Sequence, residues 1–101
     1  MTDRELLKLA AKAAGIKVSA VVSDGIPNRF GGGYWNPLTD DGDALRLAVK
    51  LGIEVDYYLA DVQAKHDDCD PVFELLSENA DPYATNRRAI VRAAAEIGKK
   101  L

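Results

Sequence analysis

Asp40 to Val55 runs D-D-G-D-A-L-R-L-A-V-K-L-G-I-E-V, and it carries a complete passage from helix to strand. Asp40 or Thr39 can cap the helix, while Asp41 and Asp43 place negative charge in its first turn, where the helix dipole favours it. Ala44, Leu47, Ala48 and Leu51 recur at i, i+3, i+4 and i+7, with Asp43, Arg46 and Lys50 on the opposite side. Gly52 ends the helix, and Ile53 opens a run in which Ile53, Val55, Tyr57 and Leu59 alternate with Glu54, Asp56 and Tyr58, predicting one long strand to about Ala64.

The same grammar occurs earlier. Thr2 and Glu5 form a capping box, and Leu6, Leu9, Ala10 and Ala13 make an apolar stripe opposite Arg4, Lys8 and Lys12. Gly15 is placed as a left-handed cap with Ile16 packing back, and β-branched residues predict a strand from Ile16 to Val22, closed by a turn at Ser23-Asp24-Gly25. Pro27 and Gly31-Gly32-Gly33 interrupt the next segment, leaving room for short strands near Arg29 and Phe30 and near Tyr34 and Trp35. Lys65 to Pro71 is a charged loop. Val72 to Ser77 is either a helical turn or a return strand, with the strand preferred. Asp81-Pro82 opens a last helix with the stripe Ile90, Ala94, Ile97 and Leu101, and with Arg88, Arg92, Glu96 and Lys99 outside. The expected architecture is α+β: three amphipathic helices packed on a small, mainly antiparallel sheet of three to five strands, in a single domain over 1–101. Leu7, Tyr58 and Val62 fall on faces turned from this core, which leaves a homodimer open.

Composition narrows the function classes. Thirteen basic against 16 acidic side chains give a net charge of −3, which argues against a general nucleic-acid coat or a polybasic membrane binder. Cys69 is the lone cysteine, so no intramolecular disulfide forms. No window has the apolar length of a membrane span, and the charged N-terminus M-T-D-R-E-L-L-K lacks a signal sequence. A soluble, cytoplasmic protein is expected.

Candidate chemistry is sparse. His66-Asp67-Asp68-Cys69-Asp70 concentrates ligand-type residues, but neighbours in a loop rarely face one centre and no second His or Cys completes a tetrahedral site. Asp40-Asp41-Gly42-Asp43 lacks the spacing of a calcium loop, and capping accounts for its acids. Gly31-Gly32-Gly33 leads into Y-W-N-P rather than a phosphate-binding helix. No cofactor, no metal and no enzymatic activity are expected. Two binding surfaces remain. Phe30, Gly32, Tyr34 and Trp35 join aromatic anchors to glycines and suit a protein partner. Arg87, Arg88, Arg92 and Lys99 on the last helix are the alternative, a nucleic-acid contact.

The blocks W-N-P-L-T-D-D-G-D-A-L-R-L-A-V-K-L, Trp35 to Leu51, and R-R-A-I-V-R-A-A-A-E-I-G, Arg87 to Gly98, resemble small phage and prophage proteins, loosely the NinX-like group of accessory proteins. The blocks cover 29 of the 101 residues. The resemblance implies a phage or prophage origin in a bacterial host and an accessory or adaptor role toward a host or phage protein. It carries no catalytic residue onto this chain.

Overall fold

The computed structural model describes residues 2–17, 21–22, 25–27, 33–76 and 81–101. Three helices, α1 (Asp3–Ala14), α2 (Asp41–Leu51) and α3 (Pro82–Lys99), accompany β1 (Ile26–Pro27), β2 (Tyr34–Trp35), β3 (Glu54–Tyr57), β4 (Asp61–His66) and β5 (Cys69–Leu75). β1 and β2 form a two-stranded antiparallel ribbon, and the other strands form an antiparallel sheet in the order β3-β4-β5. The α+β architecture is as the sequence predicts.

Local signals account for the helices. The Thr2 hydroxyl accepts from the Glu5 N–H, and the Asp40 and Asp81 carboxylates accept from Asp43 N and Tyr83 N. Each such cap stabilises its helix by about 1 kcal/mol. Gly15 and Gly52 sit at φ 75° and 69°, the left-handed conformation that lets a helix close without a Cβ clash. Ile16 N and Ile53 N then donate back to Ala11 O and Ala48 O.

α3 is the centre of the fold. It packs against α1, α2, β4 and β5, so its buried face is wider than the expected stripe. Ala89, Ile90, Val91, Ala93, Ala94, Ala95, Ile97 and Gly98 are all buried. Small residues let α1 come close: Ala10 and Ala14 of α1 share one buried cluster with them. At Gly98 the approach is so tight that a Cβ would collide with the Leu9 carbonyl. Leu101 departs from the predicted stripe; it is exposed past the helix end, where its carbonyl accepts from Lys12 Nζ at 2.7 Å.

Several strand assignments change. Ile16 and Lys17 form no strand and Val22 makes only a single bridge to Gly25, because Ile16 is consumed in closing α1 and packs on the core; Val18 to Ala20 and the turn residues Ser23 and Asp24 lie outside the described residues. The long strand from Ile53 is a hairpin instead. Tyr58 N donates to Asp61 O across Leu59-Ala60, a turn without Gly, Asn or Pro at which the apolar positions change phase from Val55, Tyr57 and Leu59 to Val62 and Ala64. Leu59 is consequently fully exposed, and Tyr57 stands at the sheet rim. The charged loop from Lys65 to Pro71 shrinks to a turn at Asp67-Asp68, its flanks belonging to β4 and β5. The preferred return strand is present as far as Leu75. Leu7 and Val62 are buried rather than turned away: α1 covers a second small core of Leu7, Ala11, Val21 and Ile26, and the side chain of Val62, on β4, belongs to the main core. Tyr58 remains exposed.

Replacing Gly98 by Ala is expected to destabilise the protein by about 1–3 kcal/mol, the cost of overpacking a helix contact that cannot yield without backbone movement. A urea melt checks this; an unchanged midpoint would contradict the α1–α3 packing.

Candidate functional site

The aromatic surface resolves into a structural part and an exposed part. Phe30 and Gly32 lie outside the described residues. Trp35 is half-buried and packs against both cores, while Tyr34 is exposed beside it. The following turn is a polar hub. Buried Asn36 donates its N–H to Asp43 Oδ2 at 2.9 Å, its Oδ1 accepts from Leu38 N at 3.0 Å, and its carbonyl accepts from Thr39 N and Asp40 N. Asp43, expected outside, thus points partly inward and also holds Arg46 at 2.8 Å. The W-N-P-L-T-D-D-G-D segment is the joint that fixes the start of α2.

Each basic candidate on α3 already holds an acid. Arg87 Nη1 lies 2.6 Å from Asp41 Oδ1, and its Nε donates to Leu38 O at 2.8 Å. Arg88 reaches Asp3 at 3.0 Å and Glu74 at 3.5 Å. Arg92 Nη1 bonds Glu74 Oε1 at 2.8 Å and the Phe73 carbonyl at 3.0 Å, and Lys99 pairs with Glu96 at 2.8 Å. Surface pairs such as Lys99–Glu96 are worth about 0–1 kcal/mol. Glu74 is different, because its side chain is only 14% exposed and two guanidiniums converge on it. A phosphate would have to strip those cations from a largely buried carboxylate, against a cost of about 1.5–3 kcal/mol for each hydrogen bond to a charged group.

A polar cleft of about 690 Å³ runs along β5 beside the last turns of α3, lined among others by Asp68, Cys69, Arg92, Glu96 and Lys100. Lys100 Nζ donates to the Asp68 carbonyl and closes one end. The Cys69 thiol points at the Ala93 carbonyl, 3.9 Å away. Burial, reinforced by Glu96, Asp70 and Asp68 and opposed by Lys100, pushes the thiol above its ordinary range. That is the opposite of an activated nucleophile. Among the described residues, no three His, Cys, Asp or Glu side chains gather in a metal-binding group.

An exposed apolar groove lies apart from the surfaces that the sequence singles out. α2, β3 and α3 enclose a groove of about 470 Å³ floored by Ala48, Ile53, Val55 and Ile90. Leu45 (64% exposed) and Val49 (73%) form one wall, and Tyr57 (69%) stands opposite, its hydroxyl donating to Asn86 Oδ1 at 2.9 Å. The charged residues lining this groove are Asp41 and Glu54, both acidic. Leu45 and Val49 are an i, i+4 pair lying off the main stripe of α2, which was the available signal.

No protein-family model matches the chain, and neither the curated proteins nor the solved structures give a match.

Cys69 is expected to alkylate with iodoacetamide at pH 7.5 more slowly than free cysteine, because a raised pKa leaves less thiolate; the rate should climb as pH rises beyond the ordinary thiol range. Alkylation at or above the free-cysteine rate would contradict the buried geometry.

Proposed function

We propose that this chain is a small protein-docking module, an accessory or adaptor protein of phage or prophage origin that acts in the cytoplasm of a bacterial host. The observation that carries the docking role is the apolar groove walled by Leu45, Val49 and Tyr57. Large aliphatic side chains this exposed, grouped on one face and rimmed by polar residues, mark an interaction site more often than an inert surface. The origin rests on the resemblance of the Trp35–Leu51 and Arg87–Gly98 blocks. The cytoplasmic setting accords with a chain whose single cysteine makes no intramolecular disulfide.

The docking surface moves accordingly. Trp35 is engaged by both cores, and the Asn36 turn next to it is committed to holding α2. Tyr34 supplies one exposed ring. The groove offers three large exposed side chains on two different elements, with a preformed floor beneath them. Nucleic-acid binding through Arg87, Arg88, Arg92 and Lys99 is the weaker reading, since each of these cations is held by a carboxylate of the chain itself.

Selection from a random library of peptides about twelve residues long tests the docking role, because groove-type recognition modes accept isolated segments. Selected peptides are expected to bind the native protein and to lose about tenfold or more in affinity with Val49→Glu. Thermal stability should change little, as surface substitutions usually stay within about 0.5 kcal/mol. Peptides that bind Val49→Glu unchanged, or an empty selection, would contradict the proposal.

A further inference from the structure

The two edges of the three-stranded sheet are built differently. The Leu76 N to Ala60 O bond, with Val62 opposite Glu74 and Ala64 opposite Val72, means that Phe73 and Leu75 turn their backbone groups away from β4. On that edge Pro71 has no N–H to offer, and Arg92 occupies the Phe73 carbonyl. These are two familiar ways of blunting a strand edge. On the other edge, the Tyr58 N to Asp61 O bond fixes Asp56 with Gln63 and Glu54 with Lys65 as the hydrogen-bonded pairs. Val55 and Tyr57 therefore direct their N–H and C=O groups outward, and these hold no backbone hydrogen bond among the described residues. Among the described residues no proline, bulge or cation covers them. The open edge borders the groove walled by Leu45 and Val49.

We infer that the free edge of β3 accepts an extended segment of another protein in which apolar residues alternate with lysine or arginine. The inference rests on the docking role of this groove and specifies what enters it. An added strand would pair its backbone with Val55 and Tyr57, the mode of strand addition. Its alternate side chains would divide between two surfaces. Those on the helix side meet Val55, Tyr57, Leu45 and Val49 and are apolar. Those on the outer side lie beside Glu54 and Asp56. Lys65 engages Asp56 at 2.7 Å, and the Asp56 hydrogen bond raises the Lys65 pKa. Lys65 also stands opposite Glu54 across the ladder but engages Asp56; among the described residues Glu54 is in no ion pair, so the outer positions, beside two carboxylates and one lysine, call for a cation. A second copy of this chain fits poorly: the two antiparallel registers that use the whole strand set Asp56 against Asp56, or Glu54 against Asp56, of the other copy. Like charges directly opposite oppose pairing.

The probe is a capped peptide of seven residues alternating valine and lysine, titrated into the isotope-labelled full chain. Its counterpart carries glutamate in place of lysine. At saturation with the lysine peptide, exchange of the Val55 and Tyr57 amides is expected to slow by about tenfold or more, with the glutamate peptide binding at least about tenfold more weakly. Val55→Pro removes an outward N–H while leaving the β3–β4 hydrogen bonds in place, and should abolish binding; Val49→Glu, on a fully helical exposed site, gives the same answer if the proline variant does not fold. Shifts at the Leu45 and Val49 methyl groups without protection of Val55 and Tyr57 would overturn strand addition while leaving the docking groove standing. Absence of shifts at either place would overturn both. Equal binding of the two peptides, or a dimer of the chain that protects the same amides, would overturn the stated partner.

Discussion

The close approach of α1 and α3 is the contact on which the remaining structure rests. Alanines on both helices and Gly98 against the Leu9 backbone remove the side-chain bulk that would hold the axes apart. Packing of this kind gains little from any one residue, since an alanine buries little area. It gains from many short dispersion contacts made at once, each lost if the helices separate slightly. Because α3 is already covered by α1 on one side, its other sides are available to the sheet and to α2. One helix therefore serves as the core for all three remaining layers.

That arrangement determines which strand edge is exposed. α3 lies beneath β4 and β5, so Arg92 can rise from it to the carbonyl of Phe73 and join Glu74. Arg88 reaches the same glutamate. The cations of α3 are thus spent on the β5 side and on α1 and α2, where Asp3 and Asp41 receive Arg88 and Arg87. The β3 side receives no cation from the helix. It has Glu54, Val55, Asp56 and Tyr57 beside the exposed aliphatic pair of α2. The same distribution of charge that ties the arginines of α3 to carboxylates leaves the β3 edge acidic and, among the described residues, without a partner strand.

The helices were legible in the sequence because their signals are local. Capping residues, glycine stops and 3.6-residue periodicity all act within a turn or two, and Asp40, Gly52 and Asp81 stand where the pattern places them. The hairpins were less legible. Leu59-Ala60 and Asp67-Asp68 carry the turns without glycine or asparagine, and the mark of the first is a change of phase there, from apolar Val55, Tyr57 and Leu59 to apolar Val62 and Ala64. Pairing between strands, a nonlocal property, makes that change of phase a hairpin. The candidate surfaces divide in the same way. Arg88 and Arg92 look free on a helical wheel, and the acid that holds both, Glu74, lies on a strand whose position no local signal gives. Leu45 and Val49 carry little sequence signal of their own, because isolated apolar residues on the outside of a helix are common; the groove they wall depends on Tyr57 and β3 standing next to them.

Amide hydrogen exchange of the free protein tests this account most directly. The Val55 and Tyr57 amides should exchange at close to the rate of an unstructured peptide. Their neighbours at Glu54 and Asp56, bonded to β4, should be protected, and the amides of Ala89 to Ala95 in α3 should exchange only through global unfolding. Protection of Val55 and Tyr57 equal to that of Asp56 would show that the edge is already covered, and would contradict an open docking strand.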